Sequence, residues 1–566
     1  MLKYHFSYQN PLNHFLQIRL EINELTGNSA IIHLPAWRPG RYELQNFAKR
    51  IKHLKFETVE GEALKFLKQS KDQWKVELAG AHTVIVSYHY YAGLMDAGNS
   101  WLDDEQLYIN PVNCCLYEAN QLNKAIEIHF NLPEDYKIAS GLQPTDKHSL
   151  HAKSYYQLVD SPIFASPSLR TIPYKVEETQ FYIHIQGDLP QSDEKLIEDF
   201  LPFTQKQMEV MGGFPAKHYH FLIQSLPYKA YHGVEHWNST VICLGPSNEL
   251  SERTLYKELL GVSCHELFHT WNVIRLRPKE MIPYNFQAEN YHQTGFVTEG
   301  VTTYYGDLFL ARSGVFNFEE YLQELNKLLK RHYENEGRKA YSVGESSFDL
   351  WLDGYERGVP GRKVSIYNEG ALAAIILDLT IRLKHDNQKS LDDVMRLLWV
   401  RHGKDMSGYS FEDYQSACET VYDGSLQTYF DEIILGLTPF EEYLIPLLDA
   451  FGSKMALKNA DRPEEDLFGF RLLDNRIDLI ATDSPAEQWL SINDIILKVN
   501  GEKLDGQISQ GEQLTLEVLR MGKKKTVTLT SDGQHHFQIY QLQLKENISS
   551  TERELLKGWF ETCFQA

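Results

Sequence analysis

The stretch His265-Glu266-Leu267-Phe268-His269 places two histidines four positions apart, with a glutamate beside the first of them. In a helix, residues with this spacing lie on one face, so both imidazoles can reach a single metal ion. Zinc is the ion that suits two neutral histidine nitrogens and needs no redox chemistry. Glu266 can then take a proton from a water molecule. The stretch therefore predicts a zinc site with a general base, which is the minimum apparatus for hydrolysing a peptide bond.

The residues before this stretch favour the helix that such a site requires. Ser251 can serve as the N-cap of a helix over residues 251–272. A single stripe then recurs at spacings of 4, 3, 4 and 3 residues: Leu255, Leu259, Val262, Glu266 and His269. Because polar groups at the end of a buried stripe are costly without partners, the stripe favours a metal site over a chance match.

A zinc site of this kind needs a third protein ligand and keeps one position open. Glu299 is the best candidate, because it lies near the start of the next segment with strong helical periodicity, 298–313. Alternatively, the carboxylate of Glu299 serves only to complement the dipole at the N-terminus of that helix. Glu289 is the competing ligand, although it lies in a predicted loop.

The wider sequence predicts a multidomain α+β protein, and its 566 residues are too many for one hydrophobic core. Short alternating runs predict a β-sandwich over residues 1–172, and a catalytic domain over 173–450 is mostly helical. A small β domain over 451–545 and a C-terminal helix over 546–566 follow, with a turn at Lys523–Lys525. The strongest helical segments are 251–272, 298–313, 317–334, 365–386 and 390–402.

Composition excludes several classes of partner. The net charge of −21 argues against nucleic acid and against an anionic membrane surface. No apolar run is long enough to span a bilayer, and the N-terminus lacks the apolar segment of a signal peptide. The six cysteines show no C-x-x-C spacing, which is typical of a reduced, cytoplasmic protein.

Several motifs together resemble the glycyl aminopeptidase family of zinc gluzincins, which are PDZ-containing relatives of aminopeptidase N. The motifs that carry the resemblance are His265–Asn272, Arg275–Pro278, Thr298–Gly300, Pro35–Tyr42, Gly233–His236 and Tyr367–Leu372. They span nearly the whole chain, and their combination is far more specific than the zinc motif alone.

The resemblance implies a thermolysin-like zinc peptidase domain with one zinc ion per chain. It implies that Tyr367 is catalytic, because a phenol at this position can donate to the oxyanion of the tetrahedral intermediate. It also places Gly233 and Glu235 in the substrate-binding site, with Glu235 holding the free α-amine of a peptide substrate. A preference for Gly or Ala at the N-terminus follows from the resemblance alone.

Residues 451–545 resemble a PDZ domain. Leu467–Phe470 would be the carboxylate-binding loop, and Asn493–Gly501 matches a strand and turn of that fold. Only nine residues separate Gly501 from Gly511, which is too few for a full second helix beside the peptide groove. We therefore expect weak binding of C-terminal peptides, or a purely structural domain.

Two other functions remain open at the level of sequence. A zinc endopeptidase would use the same metal and base without an anchor for the amine. A PDZ interaction protein could keep the peptidase domain only as a scaffold. Glu266 argues against a scaffold, because a scaffold has no need of a general base between two metal ligands.

Overall fold

The structure is a computed structural model that describes residues 1–356, 358–504 and 511–561. The chain divides into two compact units. The first consists of Met1–Phe316, Ser347–Glu356 and Asp392–Val421, and the second consists of Asn317–Ser346, Arg357–Leu391 and Tyr422–Ala566.

The N-terminal part of the first unit is built from β-sheets. Its strands are β1 (Leu2–Ser7), β2 (Phe15–Ile22), β3 (Ser29–His33), β4 (Ile51–Glu57), β5 (Phe66–Ser70), β6 (Gln73–Glu77), β7 (Val84–Tyr91), β8 (Trp101–Leu102), β9 (Leu107–Ile109), β10 (Tyr117–Glu118), β11 (Ile126–Phe130), β12 (Lys137–Ser140), β13 (Gln143–Asp146), β14 (Ser149–Ala152) and β15 (Ile163–Ser166).

Among the described residues these strands form a seven-stranded sheet, β13-β14-β11-β1-β2-β7-β4, and two four-stranded sheets, β10-β3-β6-β5 and β12-β15-β9-β8. In β2 buried and partly exposed residues alternate, as the alternation of apolar and polar residues predicts for a sheet with one covered face. The buried faces contribute to a core that includes Tyr4, Leu20, Val86 and Ile128.

A mixed sheet of five strands follows in the first unit. Its strands are β16 (Arg170–Val176), β17 (Thr179–Gln186), β18 (His218–Ser225), β19 (Ala230–His236) and β20 (Ser239–Gly245). Strands β17, β18 and β20 are parallel, and β19 lies at the edge of the sheet, antiparallel to β20.

Helices dominate the middle of the chain. The helices are α1 (Tyr155–Val159), α2 (Asp193–Met211), α3 (Arg253–Phe268), α4 (Thr302–Arg312), α5 (Phe318–Glu334), α6 (Val343–Phe348), α7 (Leu350–Asp353), α8 (Asn368–Lys384), α9 (Leu391–Leu398), α10 (Phe411–Tyr422), α11 (Gln427–Tyr429), α12 (Glu441–Ala450), α13 (Pro463–Asp466) and α14 (Ser550–Phe560). Three π-helical turns accompany them in the described part of the chain: Phe296–Val301, Trp399–Gly403 and Phe430–Ile434. None of the described helices combines the length and the hydrophobicity that a membrane crossing requires.

Short strands return near the C-terminus, in the second unit. They are β21 (Ser453–Lys458), β22 (Phe470–Leu473), β23 (Arg476–Ile480), β24 (Ile495–Val499), β25 (Glu502–Lys503), β26 (Gln513–Arg520), β27 (Lys523–Thr530) and β28 (Ile539–Leu544). Strand β21 pairs with β28, and the order of the larger sheet is β22-β23-β24-β26-β27, with β25 beside β24.

The predicted class is confirmed: the chain is a multidomain α+β protein with a β-rich N-terminal part, a helical middle and C-terminal sheets. The domain boundaries at 172, 450 and 545 stay predictions. Residues 505–510, in the segment where we predicted that a second PDZ helix is missing, lie outside the described residues, as does Cys563. The five described cysteines are buried and carry no disulfide.

Two local predictions were wrong. Helix α3 begins at Arg253 after Glu252, whose side chain makes no capping hydrogen bond, and Ser251 is not its N-cap. Lys523–Lys525 begin strand β27 instead of forming the turn. Met521 and Gly522 form that turn, because both take the left-handed backbone conformation, with φ of 49° and 75°.

Candidate active site

Helix α3 carries the first two residues of the predicted site. His265 and Glu266 lie in its last turn, and the helix ends at Phe268. The backbone N–H of His269 still donates to the carbonyl of His265 at 3.3 Å, so the side chain of His269 stays on the face that His265 occupies. The Nε2 atoms of the two histidines are 3.0 Å apart.

Glu299 reaches the same point from the π-helical turn Phe296–Val301, in which every residue is buried. Its Oε2 atom lies 3.4 Å from Nε2 of His269 and 3.9 Å from Nε2 of His265. Ligands of tetrahedral zinc, at bonds of about 2.0–2.1 Å, are separated by roughly 3.3 Å. The three residues therefore fit the zinc ion that the sequence predicts, and they form one of two clusters of potential metal ligands among the described residues. Glu289 belongs to neither cluster.

Hydrogen bonds orient the potential ligands. His269 donates from Nδ1 to the backbone carbonyl of Asn272 at 2.7 Å, which turns Nε2 toward the cluster. The side-chain amide of Asn272 donates in turn to the carbonyl of Val297 at 2.8 Å, within the turn that carries Glu299. The hydroxyl of Tyr42 donates to Oε1 of Glu299 at 3.0 Å, so Oε2 remains directed toward the histidines.

The second cluster shares His269 with the first and adds Glu235 and Glu266, with ligand atoms within 4.8 Å of one another. Glu266 is buried, and its Oε2 atom has no hydrogen-bond partner among the described residues. A buried carboxylate oxygen without a partner is costly unless water or a substrate group meets it. The arrangement therefore provides an acceptor for a proton directly beside the potential metal ligands.

Strand β19 supplies Glu235 and Gly233 from the edge of the five-stranded sheet. Residues two positions apart on a strand point to the same side, and here that side faces helix α3. A Cβ atom at Gly233 would overlap the carboxylate of Glu266 and lie 2.6 Å from Cγ2 of Val262. Glycine at this position allows β19 to approach the helix closely enough for Glu235 to join the site.

Three buried carboxylates set the charge balance of the site. Burial raises the pKa of Glu235 to about 7, although His269 opposes the shift. Burial also raises the pKa of Glu266 well above its usual value. Burial lowers the pKa of His269, but Glu299 and Glu235 outweigh this effect and raise it to about 10. The carboxylates therefore favour a positive charge at this position, which a divalent cation also supplies.

The segment Pro35–Tyr42 of the N-terminal part borders the site, and its role was not found from the sequence. Gly40 has a φ of 78°, and a Cβ atom there would lie 2.6 Å from Oε2 of Glu235. The guanidinium of Arg38 is buried, and its charge opposes the upward shift in the pKa of both Glu235 and Glu266. The only signal was the unusual run Trp-Arg-Pro-Gly-Arg-Tyr at Trp37–Tyr42, which does not show where it folds.

Tyr367 belongs to the second compact unit, where it directly precedes helix α8 and is partly buried. Its neighbours fix the first turn of α8 to helix α5. Asn368 donates to the carbonyl of Leu328 at 3.1 Å, and Nδ1 of His332 donates to Oε2 of Glu369 at 2.6 Å. The catalytic role of Tyr367 stays a prediction.

Comparisons with known proteins bear on both compact units. Residues 3–167 match the Peptidase M61 N-terminal domain, and residues 258–373 match the M61 glycyl aminopeptidase domain. The crystal structure of an aminopeptidase N family protein from Idiomarina loihiensis is similar over 99% of this chain and 100% of that chain, with 26% identity and a TM-score of 0.90. No curated protein sequence matches the chain.

Weaker likenesses include an M1 zinc metallopeptidase from Deinococcus radiodurans, with 12% identity over 77% of this chain and 94% of that chain and a TM-score of 0.47. A mutant of the M1 zinc metallopeptidase from that organism, bound to a Tyr-Ser-Ala substrate, has 14% identity over 76% of this chain and 93% of that chain, with a TM-score of 0.46. Both TM-scores are too low to support an argument about this chain.

The domain matches and the cluster of histidines and glutamates define the class of the protein, which is a metallo-aminopeptidase. The chain carries the N-terminal and the glycyl aminopeptidase domains of the M61 peptidases. The resemblance found in the sequence is thereby confirmed, and the relationship of residues 451–545 to PDZ domains stays a prediction.

Proposed function

We propose that the protein is a zinc-dependent aminopeptidase that removes N-terminal residues, with a preference for Gly or Ala, from peptides with a free amine. The observation that carries this proposal is the position of His269, which belongs both to the cluster with His265 and Glu299 and to the cluster with Glu235 and Glu266. A potential metal site, a proton acceptor and a carboxylate that can hold an ammonium group are therefore adjacent.

In this proposal His265, His269 and Glu299 hold one zinc ion per chain. When bound, zinc supplies a Lewis acid that polarises the scissile carbonyl. Oε2 of Glu266, which has no hydrogen-bond partner among the described residues, accepts a proton from the attacking water and returns it to the leaving amine. The hydroxyl of Tyr367 donates a hydrogen bond to the developing oxyanion.

Glu235 supplies the selectivity for a free N-terminus. Its carboxylate is buried beside the potential metal ligands, where an ammonium group of the substrate would be a close and well-desolvated partner. Gly233 belongs to the substrate-binding site in this proposal, because the absence of a side chain there keeps strand β19 and Glu235 close to helix α3. An amine held at this position would limit cleavage to the first peptide bond of the chain.

The finer description of the domains is part of the same proposal. We propose a β-sandwich for residues 1–172, a thermolysin-like domain for 173–450 and a PDZ-like domain for 451–545 that binds C-terminal peptides weakly. The PDZ-like domain is supported by strand β24, the turn at Asn500–Gly501 and strand β26. The five buried thiols support a cytoplasmic location.

The proposal is tested with glycyl and alanyl anilides and with the N-acetylated forms of the same compounds. We expect cleavage of the free amines, and we expect that acetylation and treatment with a chelator each abolish it. Glu235→Ala should lower kcat/KM for free amines by about a hundredfold, because the ammonium group loses a buried partner. Glu289→Ala, which removes a carboxylate outside both clusters, is the matched control and should retain the wild-type kcat/KM.

Glu266→Gln separates binding from chemistry in the same assay. The variant should retain the metal and lose nearly all turnover, since the ligands remain and the base is removed. Similar kcat/KM values for free and acetylated substrates would identify an endopeptidase and remove Glu235 from the role of amine anchor.

A further inference from the structure

The outer face of the seven-stranded sheet carries a row of basic and neutral polar side chains that crosses five strands. The strand pairing places His129 of β11 beside His5 of β1, and it places Arg19 of β2 beside His5 on the other side. Ser87 of β7 lies opposite Arg19, and Lys55 of β4 lies opposite Ser87. Neighbouring strands are about 4.8 Å apart, so the part of the row from His5 to Lys55 spans about 14 Å.

A second row lies beside the first. Ser7 of β1 pairs with Gln17 of β2, Gln17 pairs with His89 of β7, and His89 pairs with Lys52 of β4. The β4–β7 ladder has a bulge between Lys52 and Lys55, and His53 within it takes the left-handed conformation with a φ of 56°.

The bulge places an additional imidazole against the second row. The ring of His53 packs edge-on against that of His89, with 5.2 Å between their centroids. A non-glycine residue in this backbone conformation costs free energy, and bulges of this kind commonly redirect a side chain.

The members of the two rows other than His129 and Lys52 line a pocket of about 540 Å³, together with His53. Arginine, lysine, three histidines, two serines and a glutamine supply its polar lining, and no Asp or Glu is among the lining residues. This composition contrasts with the net charge of −21 for the whole chain. The pocket therefore combines charged and neutral hydrogen-bond donors without a built-in anion.

Carboxylates lie in the next row of the same face, where they are close to Lys3 of that row and to His129 and Arg19 of the first row. Glu127 of β11 is 3.6 Å from Lys3 and 3.8 Å from His129, and Glu21 of β2 is 3.9 Å from Arg19. Glu57 of β4 and His151 of β14 complete that row.

Lys52 and Lys55 are exposed and make no ion pair among the described residues, although Lys52 lies over the ring of Phe15. Burial and the nearby cations lower the pKa of both His5 and His89. A bound anion would oppose these shifts and favour the charged form of both imidazoles.

We propose that this pocket binds a multivalent phosphate ligand whose phosphate groups lie across strands β1, β2, β7 and β4. The fork of Arg19 can hold a phosphate through two hydrogen bonds, and Lys55 can hold another as a point charge. Ser7, Ser87 and Gln17 supply the neutral donors between the cations. The site is separate from the metal cluster and does not depend on the proposed peptidase function.

The proposal is tested by isothermal titration of the full-length protein with inorganic tripolyphosphate and with orthophosphate, at low ionic strength. We expect tripolyphosphate to bind and orthophosphate to bind at least about tenfold more weakly, because a single group meets fewer of the aligned cations. The double variant Arg19→Gln/Lys55→Gln should weaken tripolyphosphate binding by about tenfold or more. The control Lys65→Gln/Lys75→Gln removes the same charge from other exposed positions in the N-terminal part and should bind as the wild type does.

Lys55→Gln alone provides an independent check, since an exposed lysine can be replaced without disturbing the core. It should weaken tripolyphosphate binding about threefold. The proposal is overturned if the wild type does not bind tripolyphosphate, or if the control double variant loses binding as strongly as Arg19→Gln/Lys55→Gln. Equal affinity for orthophosphate and tripolyphosphate would contradict the alignment of several phosphate groups across the strands.

Discussion

Tyr42 connects the N-terminal β-rich part to the potential metal site through its hydroxyl group, which also lies 3.5 Å from the hydroxyl of Thr298. Its hydroxyl donates to Oε1 of Glu299, and its ring is buried. Burial raises the pKa of Tyr42 well above its usual value, and the carboxylate of Glu299 adds to the shift. The phenol therefore remains a donor at neutral pH, and its hydrogen bond to Oε1 leaves Oε2 of Glu299 to face the histidines.

Replacing Tyr42 should consequently weaken metal binding. We expect Tyr42→Phe to lower the affinity for zinc by about 10- to 100-fold, as is common when a partner of a metal ligand is lost. Zinc retained after dialysis against a chelator of known affinity measures the change without an activity assay. Tyr174→Phe, which removes a buried hydroxyl bonded to Thr204 in the same compact unit, is the control and should retain zinc. Unchanged retention in Tyr42→Phe would show that Glu299 is oriented by other contacts.

The close approach of strand β19 to helix α3 brings the carboxylates together. Gly233 allows this packing, since it faces Glu266. Gly306 allows a similar close approach of helix α4 to α3, where it faces the backbone and Cβ of His265. The position of Glu235 therefore depends on the absence of a side chain two residues earlier in its strand.

A methyl group at Gly233 tests that dependence. Gly233→Ala should destabilise the protein by about 1–3 kcal/mol, because a close-packed interface must open to accept it. It should also lower kcat/KM for free-amine substrates, since Glu235 moves with the strand. Gly261→Ala adds a methyl group within α3 itself, where the nearest atom outside the helix backbone is 3.8 Å away, and it should be neutral or stabilising. Thermal unfolding and the anilide assay distinguish the two variants, and equal stability would show that the interface adapts at no cost.

At the scale of the whole molecule, a buried histidine connects three helices of the second compact unit. His332 of α5 bonds to Glu369 of α8 at 2.6 Å and lies 3.7 Å from Glu441, the first residue of α12. Burial lowers the pKa of His332, but Glu369 and Glu441 outweigh it, and the net shift is upward. The charged form therefore stabilises the folded state.

This contribution predicts how stability depends on pH. Because the pKa of His332 is raised on folding, its stabilisation is complete below the unfolded value of about 6.5 and is lost as the pH rises through the folded value. The wild type should lose more stability between pH 6 and pH 9 than His332→Gln does, as measured by Tm across that range. His402→Gln, outside this network, should follow the wild-type profile. Parallel profiles for the wild type and His332→Gln would remove His332 as a source of the pH dependence.

The sequence alone determined the features that depend on local spacing. Two histidines one helical turn apart meet because the helix itself places them together, and the predicted helices at 298–313 and 317–334 agree closely with the structure. The sequence motifs also predicted the glycyl aminopeptidase family, and the matches to the two M61 domains confirm it. Glu299 was found as the third candidate ligand because it lies early in a strong helical pattern, although the structure holds it in a π-helical turn.

Only the tertiary structure decided what depends on residues far apart in the chain. Tyr42 meets Glu299 across 257 positions, and Gly40 meets Glu235 through the packing of an N-terminal loop on an edge strand. The two rows on the outer face of the seven-stranded sheet likewise arise from strand order and register, because β1, β2, β7 and β4 are neighbours in the sheet while β3, β5 and β6 belong to another. Local periodicity fixes which face a side chain occupies on its own element. Long-range packing decides which other element that face contacts, and the spacing of residues along the chain does not encode this packing.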